Sequence, residues 1–215
     1  MFNWKIIIIL IVLKVLSIIF AHYYVNNEIE NQKKKHALGL KIENIESENE
    51  ICMSPTARNF MVCWMKYTID VIDCSKAIIK NLPNFNNNHT NLENTKEELF
   101  MLFASLYKNT NQVDEFKNII NQQISLKLSL CYAIKDEDTQ KIKFYSKSLM
   151  TNTHNLEILF NDIQKNKKNE LELKKALTSH TNIYIKSLGE MKKATNIELT
   201  RELVLGSINT VKLLL

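Results

Sequence analysis

The chain has 215 residues and a formal net charge of +5, which suits one ordinary domain with its own core once an N-terminal segment is set aside. Only three Gly and two Pro are present, too few for the tight turns of a β-sandwich or β-barrel, so the composition favours helices. The short basic runs lack the interleaved aromatic residues of a nucleic-acid-binding surface, and we predict no nucleic-acid partner.

A transmembrane anchor is predicted for residues 1–25. Residues 6–20 contain thirteen Ile, Leu, Val and Phe residues, and the apolar run extends to about the 20 residues that cross a bilayer core. Lys14 opposes insertion by roughly 2.5–3.5 kcal/mol, but each apolar residue contributes roughly 0.3–0.6 kcal/mol in favour, so insertion prevails. Aromatic residues flank the run on both sides, as at membrane interfaces.

A cleaved signal peptide is the alternative to the anchor, with Lys5 as its basic region and Ala21 as the last residue removed. Ile19 does not match the small residue expected two positions before that site, so the anchor is preferred. Lys5 favours a cytoplasmic N-terminus, whereas the basic run 33–35 opposes it. We predict a single-pass membrane protein with its folded domain on the exported side, and a secreted protein is the alternative.

Residues 26–54 are polar and charge-rich and predict a stalk. Ser54 and Pro55 then favour a helix start, with Ser as the N-cap and Pro at the first helical position. From Thr56 to about Lys80, apolar residues recur at steps of three and four, which predicts the first core helix. Its buried stripe consists of Phe60, Trp64, Tyr67, Val71, Cys74 and Ile78.

A loop is predicted for residues 81–91, which contain Pro83 and a run of Asn. Thr95-x-x-Glu98 matches a capping box and predicts the start of the second helix. A long third helix is predicted after Asn109-Thr110-Asn111, because apolar residues again recur at helical spacing.

The acidic run 136–138 suits the N-terminus of a fourth helix. A polar break at residues 165–169 precedes a fifth helix with His180 on its apolar stripe, and Gly206 is the weak point of the last helix. Short loops between long helices make neighbours antiparallel. The sequence therefore predicts an all-α fold, an antiparallel helical bundle of about five to six helices over residues 55–215, following the N-terminal transmembrane helix.

The four cysteines are Cys52, Cys63, Cys74 and Cys131. The first three are each 11 residues apart, which separates neighbours on one helix by about 16 Å, too far for a disulfide. A disulfide from Cys131 to Cys63 or Cys74 across the bundle stays open, but buried free thiols are the favoured interpretation. No Cys-x-x-Cys pair supports zinc or thioredoxin-like redox chemistry.

No catalytic set is recognised, and we predict no enzyme, no cofactor and no metal. A di-iron bundle uses Glu-x-x-His on two helices, whereas only the reversed order, His154-x-x-Glu157, occurs here. His180 is favoured as a hydrogen-bonded core residue over a metal ligand or general base. Asn88 opens an Asn-x-Thr glycosylation sequon, which is usable only if the domain is exported in a eukaryotic host.

The order of several short motifs carries a family resemblance. The motifs are Met61-Val62-Cys63-Trp64-Met65-Lys66, Asn81-Leu82-Pro83, Tyr107 before the Phe116 helix, Ala133-Ile134-Lys135-Asp136, Leu149-Met150-Thr151-Asn152 and His180. In this order, from about Arg58 to Leu215, the chain resembles an uncharacterised family of helical bundle proteins of spore-forming and other bacteria. Members of that family sometimes carry the transferred name acetylglutamate kinase.

The resemblance implies a helical bundle with polar residues converging from its first, third and fifth helices. The corresponding positions here are Met61, Gln123 and His180, of which only the last is a histidine. The resemblance therefore implies that a metal or ligand site of the family is lost or altered in this chain. It implies no kinase activity, because the chain has no Gly-rich phosphate loop.

The leading functional hypothesis is a membrane-anchored, non-catalytic binding module whose partners are the lipid bilayer and an unknown protein. The first alternative is a small-ligand-sensing bundle with a groove near Trp64, His180 and Tyr184. The second alternative is a secreted effector released by signal cleavage.

Overall fold

A computed structural model describes residues 54–164, 170–191 and 197–215, with only the backbone described for residues 197–200. These residues form six α-helices and no strand. The helices are α1 (Pro55–Ile79), α2 (Phe85–Leu106), α3 (Thr110–Lys135), α4 (Thr139–Ile163), α5 (Glu170–Met191) and α6 (Ile197–Leu214). They belong to one compact unit, Met53–Leu215.

Three sequence predictions fall outside these residues: the transmembrane anchor at 1–25, the stalk up to residue 53 and the polar break at 165–169. Among the helices that are described, none combines the length and the hydrophobicity that crossing a bilayer requires. The prediction of an all-helical bundle is confirmed for the described part of the chain, which has no β-strand.

Side-chain caps start three helices, of which α1 and α4 begin where the sequence indicated, whereas α3 begins at Thr110, inside the break predicted at 109–111. Ser54 caps α1 by accepting a hydrogen bond at its Oγ from the backbone N–H of Ala57, 3.2 Å away, and Pro55 follows it. Asn109 caps α3 through its own side chain. Asp138 caps α4, with its Oδ1 3.0 Å from the backbone nitrogen of Lys141. Each cap satisfies a backbone donor that has no partner within its helix.

The start of α2 corrects the sequence prediction, because this helix begins at Phe85 and not at Thr95. Residues 85–91, predicted as a loop, are helical, and Thr95 is fully buried in the middle of α2. Its hydroxyl donates to Oδ2 of Asp70 on α1 at 2.6 Å. The threonine of this capping-box pattern therefore joins two helices instead of starting one.

α1 and α2 are antiparallel neighbours. Phe60 packs against Phe103, with ring centroids 5.9 Å apart, and further along α1 Asp70 binds Thr95. Residue numbers on α1 thus rise as those on α2 fall, which is the arrangement that a short connection produces.

α4 is antiparallel to α5. The hydroxyls of Thr153 and Thr181 are 2.8 Å apart, and one turn further along α4 Glu157 lies 3.6 Å from Lys174. The contacts between α3 and α4 show the same reversal of direction. Consecutive helices α3, α4 and α5 therefore run up, down and up.

α1 and α3 run in the same direction. Phe60 lies beside Phe116, and Tyr67 donates a hydrogen bond to Gln123 at 3.3 Å. α1 also contacts α2, α5 and α6, so it lies against four of the other described helices. Neighbours that are consecutive in sequence are antiparallel, whereas this pair, separated by α2, is parallel.

Phe116 of α3 lies at the centre of a buried aromatic cluster to which four helices contribute. The cluster consists of Phe60, Trp64, Phe100, Phe103, Phe116 and Phe160. The rings of Phe116 and Phe103 stack, with centroids 3.8 Å and planes 7° apart. The other four ring centroids lie 6.1–6.4 Å from that of Phe116, in the range of favourable aromatic contacts.

Gly189→Ala is expected to raise the free energy of unfolding by about 0.5–1 kcal/mol, because an exposed glycine inside a helix loses more backbone entropy on folding than alanine does. Gly189 lies within α5, and a Cβ at this position meets no atom within 4 Å. Chemical denaturation of the full chain in mild detergent measures the change. An unchanged or lower stability would contradict a helical Gly189.

Candidate functional site

A cluster of buried polar residues lies where α1, α3 and α5 meet, and we call it the Lys127 cluster. It consists of Tyr67 of α1, Gln123, Lys127 and Cys131 of α3, and His180 and Tyr184 of α5. Lys127 is only 4% exposed. A fully buried lysine is rare, since removing an ammonium group from water is costly unless partners replace the water.

The ammonium group of Lys127 is held by neutral groups. Its Nζ donates to Oε1 of Gln123 at 3.2 Å and lies 5.0 Å and 5.4 Å from the ring centroids of Tyr184 and Tyr67. Aromatic faces at these distances attract a cation. No carboxylate of the described residues acts on Lys127, and burial lowers its pKa to about 8.

Tyr184 connects the cluster to α1 and α3. Its hydroxyl lies 2.8 Å from Oγ of Ser75 and 3.6 Å from Sγ of Cys131. Burial raises the pKa of Tyr184 and of Tyr67, so both phenols are neutral. The cluster therefore holds one ammonium group among uncharged hydroxyl, amide and thiol groups.

His180, the half-buried member of this cluster, is a neutral imidazole. Burial and the charge of Lys127 lower its pKa to about 3, although a hydrogen bond with the backbone of Leu203 opposes the shift. Its Nε2 atom is buried and has no hydrogen-bond partner among the described residues. Gly206 of α6 packs against the ring, since a Cβ there would lie 3.5 Å from Cδ2 of His180.

The predicted ligand-groove residues divide between two environments. Tyr184 and His180 belong to the Lys127 cluster, whereas Trp64 belongs to the aromatic cluster. The ring of Trp64 lies 6.0 Å from that of Tyr67, which connects it to the Lys127 cluster. Trp64 and Tyr184 are 3% and 2% exposed, so both are interior residues in this structure.

Lys127 is the residue that sequence reasoning missed. It lies three positions after Ile124 and three before Leu130, on the stripe that was predicted to be buried. A charged residue on an otherwise apolar helical stripe is the signal that could have identified it.

The other predicted site residues are the cysteines and the asparagine of the glycosylation sequon. Cys63, Cys74 and Cys131 are buried free thiols, and burial raises the pKa of the first two to about 12, which makes them unreactive. Cys52 lies outside the described residues. Asn88 lies in α2, with its Nδ2 donating to the backbone oxygen of Asp73, and its glycosylation stays a prediction.

His154 and Glu157 are within hydrogen-bond distance on α4, with Nδ1 3.0 Å from Oε2, and Glu157 also faces Lys174 at 3.6 Å. The described residues contain no group of three His, Cys, Asp or Glu side chains that could hold a metal ion.

The outward face of α5 carries a shallow groove of about 560 Å³. Its lining includes Leu171, Lys174, Lys175, Thr178, Ser179 and Ile183. These positions recur at steps of three and four, so they form one stripe along the helix. Leu171 at one end is 62% exposed and Ile183 lies at the other, so the stripe is accessible, with an apolar residue at each end and polar residues between them.

The described residues thus define a six-helix, all-α bundle with a buried polar cluster and a surface groove. Comparison of the chain with protein-family models, curated proteins and solved structures gives no match. The bacterial family resemblance stays a prediction. Of the three positions that it singles out, Gln123 and His180 lie beside Lys127, and Met61 is buried on α1.

Lys127→Met is expected to stabilise the chain most below pH 8. Between the pKa of about 8 in the folded chain and the ordinary value of 10.5, the unfolded chain holds a proton that the folded chain has released, so stability of the wild type rises with pH. The advantage of the methionine variant should therefore shrink by about 2 kcal/mol between pH 7 and pH 10.

Denaturation of both chains across this pH range measures the difference. Lys147→Met is the matched control, because Lys147 is exposed on α4, and its effect should not change with pH. A pH-independent difference for Lys127→Met would mean that the Lys127 amine is as well solvated in the folded chain as in the unfolded one.

Proposed function

We propose that this chain is a membrane-anchored helical bundle that works by binding a partner protein along the outward groove of α5. The anchor rests on the hydrophobic run at residues 6–20. The binding role rests on one observation, the accessible stripe of α5 with an apolar residue at each end and lysines between them. A groove along one helix with apolar contacts spaced by whole turns is the kind of surface on which an amphipathic helix packs.

The groove fits an amphipathic helix of the partner. The stripe from Leu171 to Ile183 spans 12 residue steps, about 18 Å or three helical turns. Thr178 and Ser179 in its middle are small enough for a second helix to approach closely, while the end residues supply apolar contacts. Lys175 beside the stripe favours a partner helix with an acidic edge.

Site-specific photo-crosslinking in cells that express the full chain tests this proposal. A photoreactive residue replaces Ser179 in the groove or, as the matched control, Ser125, an exposed serine on α3. We expect one discrete protein adduct from position 179 and none of that mass from position 125. The adduct should disappear when Leu171→Asp or Lys175→Glu is added. Equal adducts from both positions, or an adduct that survives both changes, would refute the groove.

A small-ligand-sensing bundle is the second candidate function, and the Lys127 cluster favours it. Lys127 has no carboxylate partner among the described residues, and Nε2 of His180 is a buried acceptor without a donor. A small molecule with a carboxylate and a hydroxyl group would satisfy both groups, if the helices open to admit it.

Thermal denaturation of the full chain with small hydroxycarboxylates, such as lactate and glycolate, tests this second candidate. We expect a concentration-dependent rise in midpoint temperature, since a ligand that binds only the folded state stabilises it. The rise should be lost in His180→Ala and retained in His154→Ala. An equal rise in both variants would count against the site.

A further inference from the structure

An exposed aromatic residue lies among lysines on the outward face of α4. Phe144 is 64% exposed, and its ring meets that of Tyr145 edge-on at 5.3 Å. Lys143 and Lys147 on the same helix are also exposed, and neither takes part in an ion pair within the described residues. Lys141 forms an ion pair with Asp138 at 3.0 Å, so it is not counted with these two lysines.

Long stretches of α4 and α5 contain no acidic residue. No Asp or Glu occurs from residue 139 to 156 on α4 or from 173 to 189 on α5. Since exposed lysines that lack counter-ions concentrate positive potential, this region attracts anions. The acidic run 136–138 and Glu157 flank the stretch on α4, and Glu172 and Glu190 flank the stretch on α5.

The packing of α4 against α5 adds a third lysine to the region. The pairs Thr153 with Thr181 and Glu157 with Lys174 set an antiparallel register. Continued along both helices, that register places exposed Lys186 of α5 level with Lys147. We call Lys143, Phe144, Lys147 and Lys186 the basic face.

We propose that the basic face docks onto a bilayer that contains anionic phospholipid. Lysine ammonium groups bind the headgroups electrostatically, and their alkyl stems together with Phe144 enter the boundary between headgroups and acyl chains. The single exposed ring of Phe144 beside lysines suits a bilayer, whose headgroup boundary accepts an apolar ring and ammonium groups together, whereas a nucleic-acid strand uses several aromatic rings on which successive bases stack.

This inference draws on the proposed function only in placing the bundle near a bilayer. Docking would hold the α4 and α5 surface at the membrane, next to the groove in which the partner helix is proposed to bind. A docked bundle would therefore select partners whose amphipathic helix also lies at the membrane surface.

Acetylation of lysines in the full chain tests the docking. The chain is incubated with vesicles of phosphatidylcholine alone or mixed with phosphatidylglycerol, and mass spectrometry gives the acetylation rate of each lysine. Lys108, which is exposed in the connection between α2 and α3, is the internal reference. With the anionic lipid, we expect the rates at Lys143, Lys147 and Lys186 to fall roughly threefold or more relative to Lys108, and high salt should restore them.

Phe144→Ala should remove most of this protection, whereas Met101→Ala, which changes another exposed apolar residue, should not. Equal relative rates in the two kinds of vesicle would overturn the inference. Protection by soluble polyglutamate that is as strong as that by vesicles and insensitive to Phe144→Ala would assign the face to an acidic polymer instead. Because vesicles can be added whether or not the chain is anchored, loss of anchoring and loss of docking give separate results.

Discussion

Phe116→Ala is expected to lower the free energy of unfolding by about 3–5 kcal/mol, the range for removing a large aromatic side chain from a packed core. The effect should lie at the upper end, because Phe116 touches aromatic rings from α1, α2 and α4 at once. An alanine leaves a cavity that none of these three helices can fill without moving the other two.

Chemical denaturation of the full chain in mild detergent measures this loss, and Phe144→Ala provides a matched control. Phe144 is the same residue type but 64% exposed on α4, so its truncation should change stability by less than about 0.5 kcal/mol. Similar losses for the two variants would contradict the placement of Phe116 at the centre of the core.

Acidification is expected to destabilise the bundle through His180. The pKa of this residue is about 3 in the folded chain, against an ordinary value of 6.5. Below pH 6.5 the unfolded chain therefore takes up a proton that the folded chain does not, and the free energy of unfolding falls as the pH falls towards 3. The contribution of His180 at pH 4 is about 3 kcal/mol.

His180→Gln removes this titration while keeping a side chain that can hydrogen-bond to the backbone of Leu203. Relative to wild type, the variant should gain about 3 kcal/mol of stability between pH 7 and pH 4. His154→Gln, which changes a histidine whose side chain is 57% exposed, is the matched control. A wild type and a His180→Gln variant that lose stability in parallel would contradict a buried neutral imidazole.

Local sequence signals correctly predicted where α1 and α4 begin. Ser54 with Pro55, Asn109 and Asp138 each act within one turn, through a side chain that caps backbone donors close by in sequence. The predicted start of the second helix was wrong, because it depends on a contact between residues that are far apart in sequence. The position of Thr95 is decided by Asp70, 25 residues earlier, and a pattern of four residues carries no information about that contact.

The candidate site was predicted only in part, because its members come from three helices. Tyr184 and His180 lie four residues apart on one helix, so their shared face follows from helical periodicity. Their approach to Lys127 depends on the packing of α5 against α3, and loop lengths indicate only how consecutive helices run. The lysine itself was visible on the apolar stripe, but its charge made burial unexpected.

Carbonate extraction of membranes from cells that express the full chain, followed by intact-mass analysis, tests the anchor most directly. Carbonate removes peripheral proteins, including one held only by the basic face, and leaves inserted segments in the bilayer. The account predicts that the chain stays in the extracted membranes with residues 1–21 still attached. A chain that begins near His22 in the soluble exported fraction would contradict it and would indicate a secreted protein.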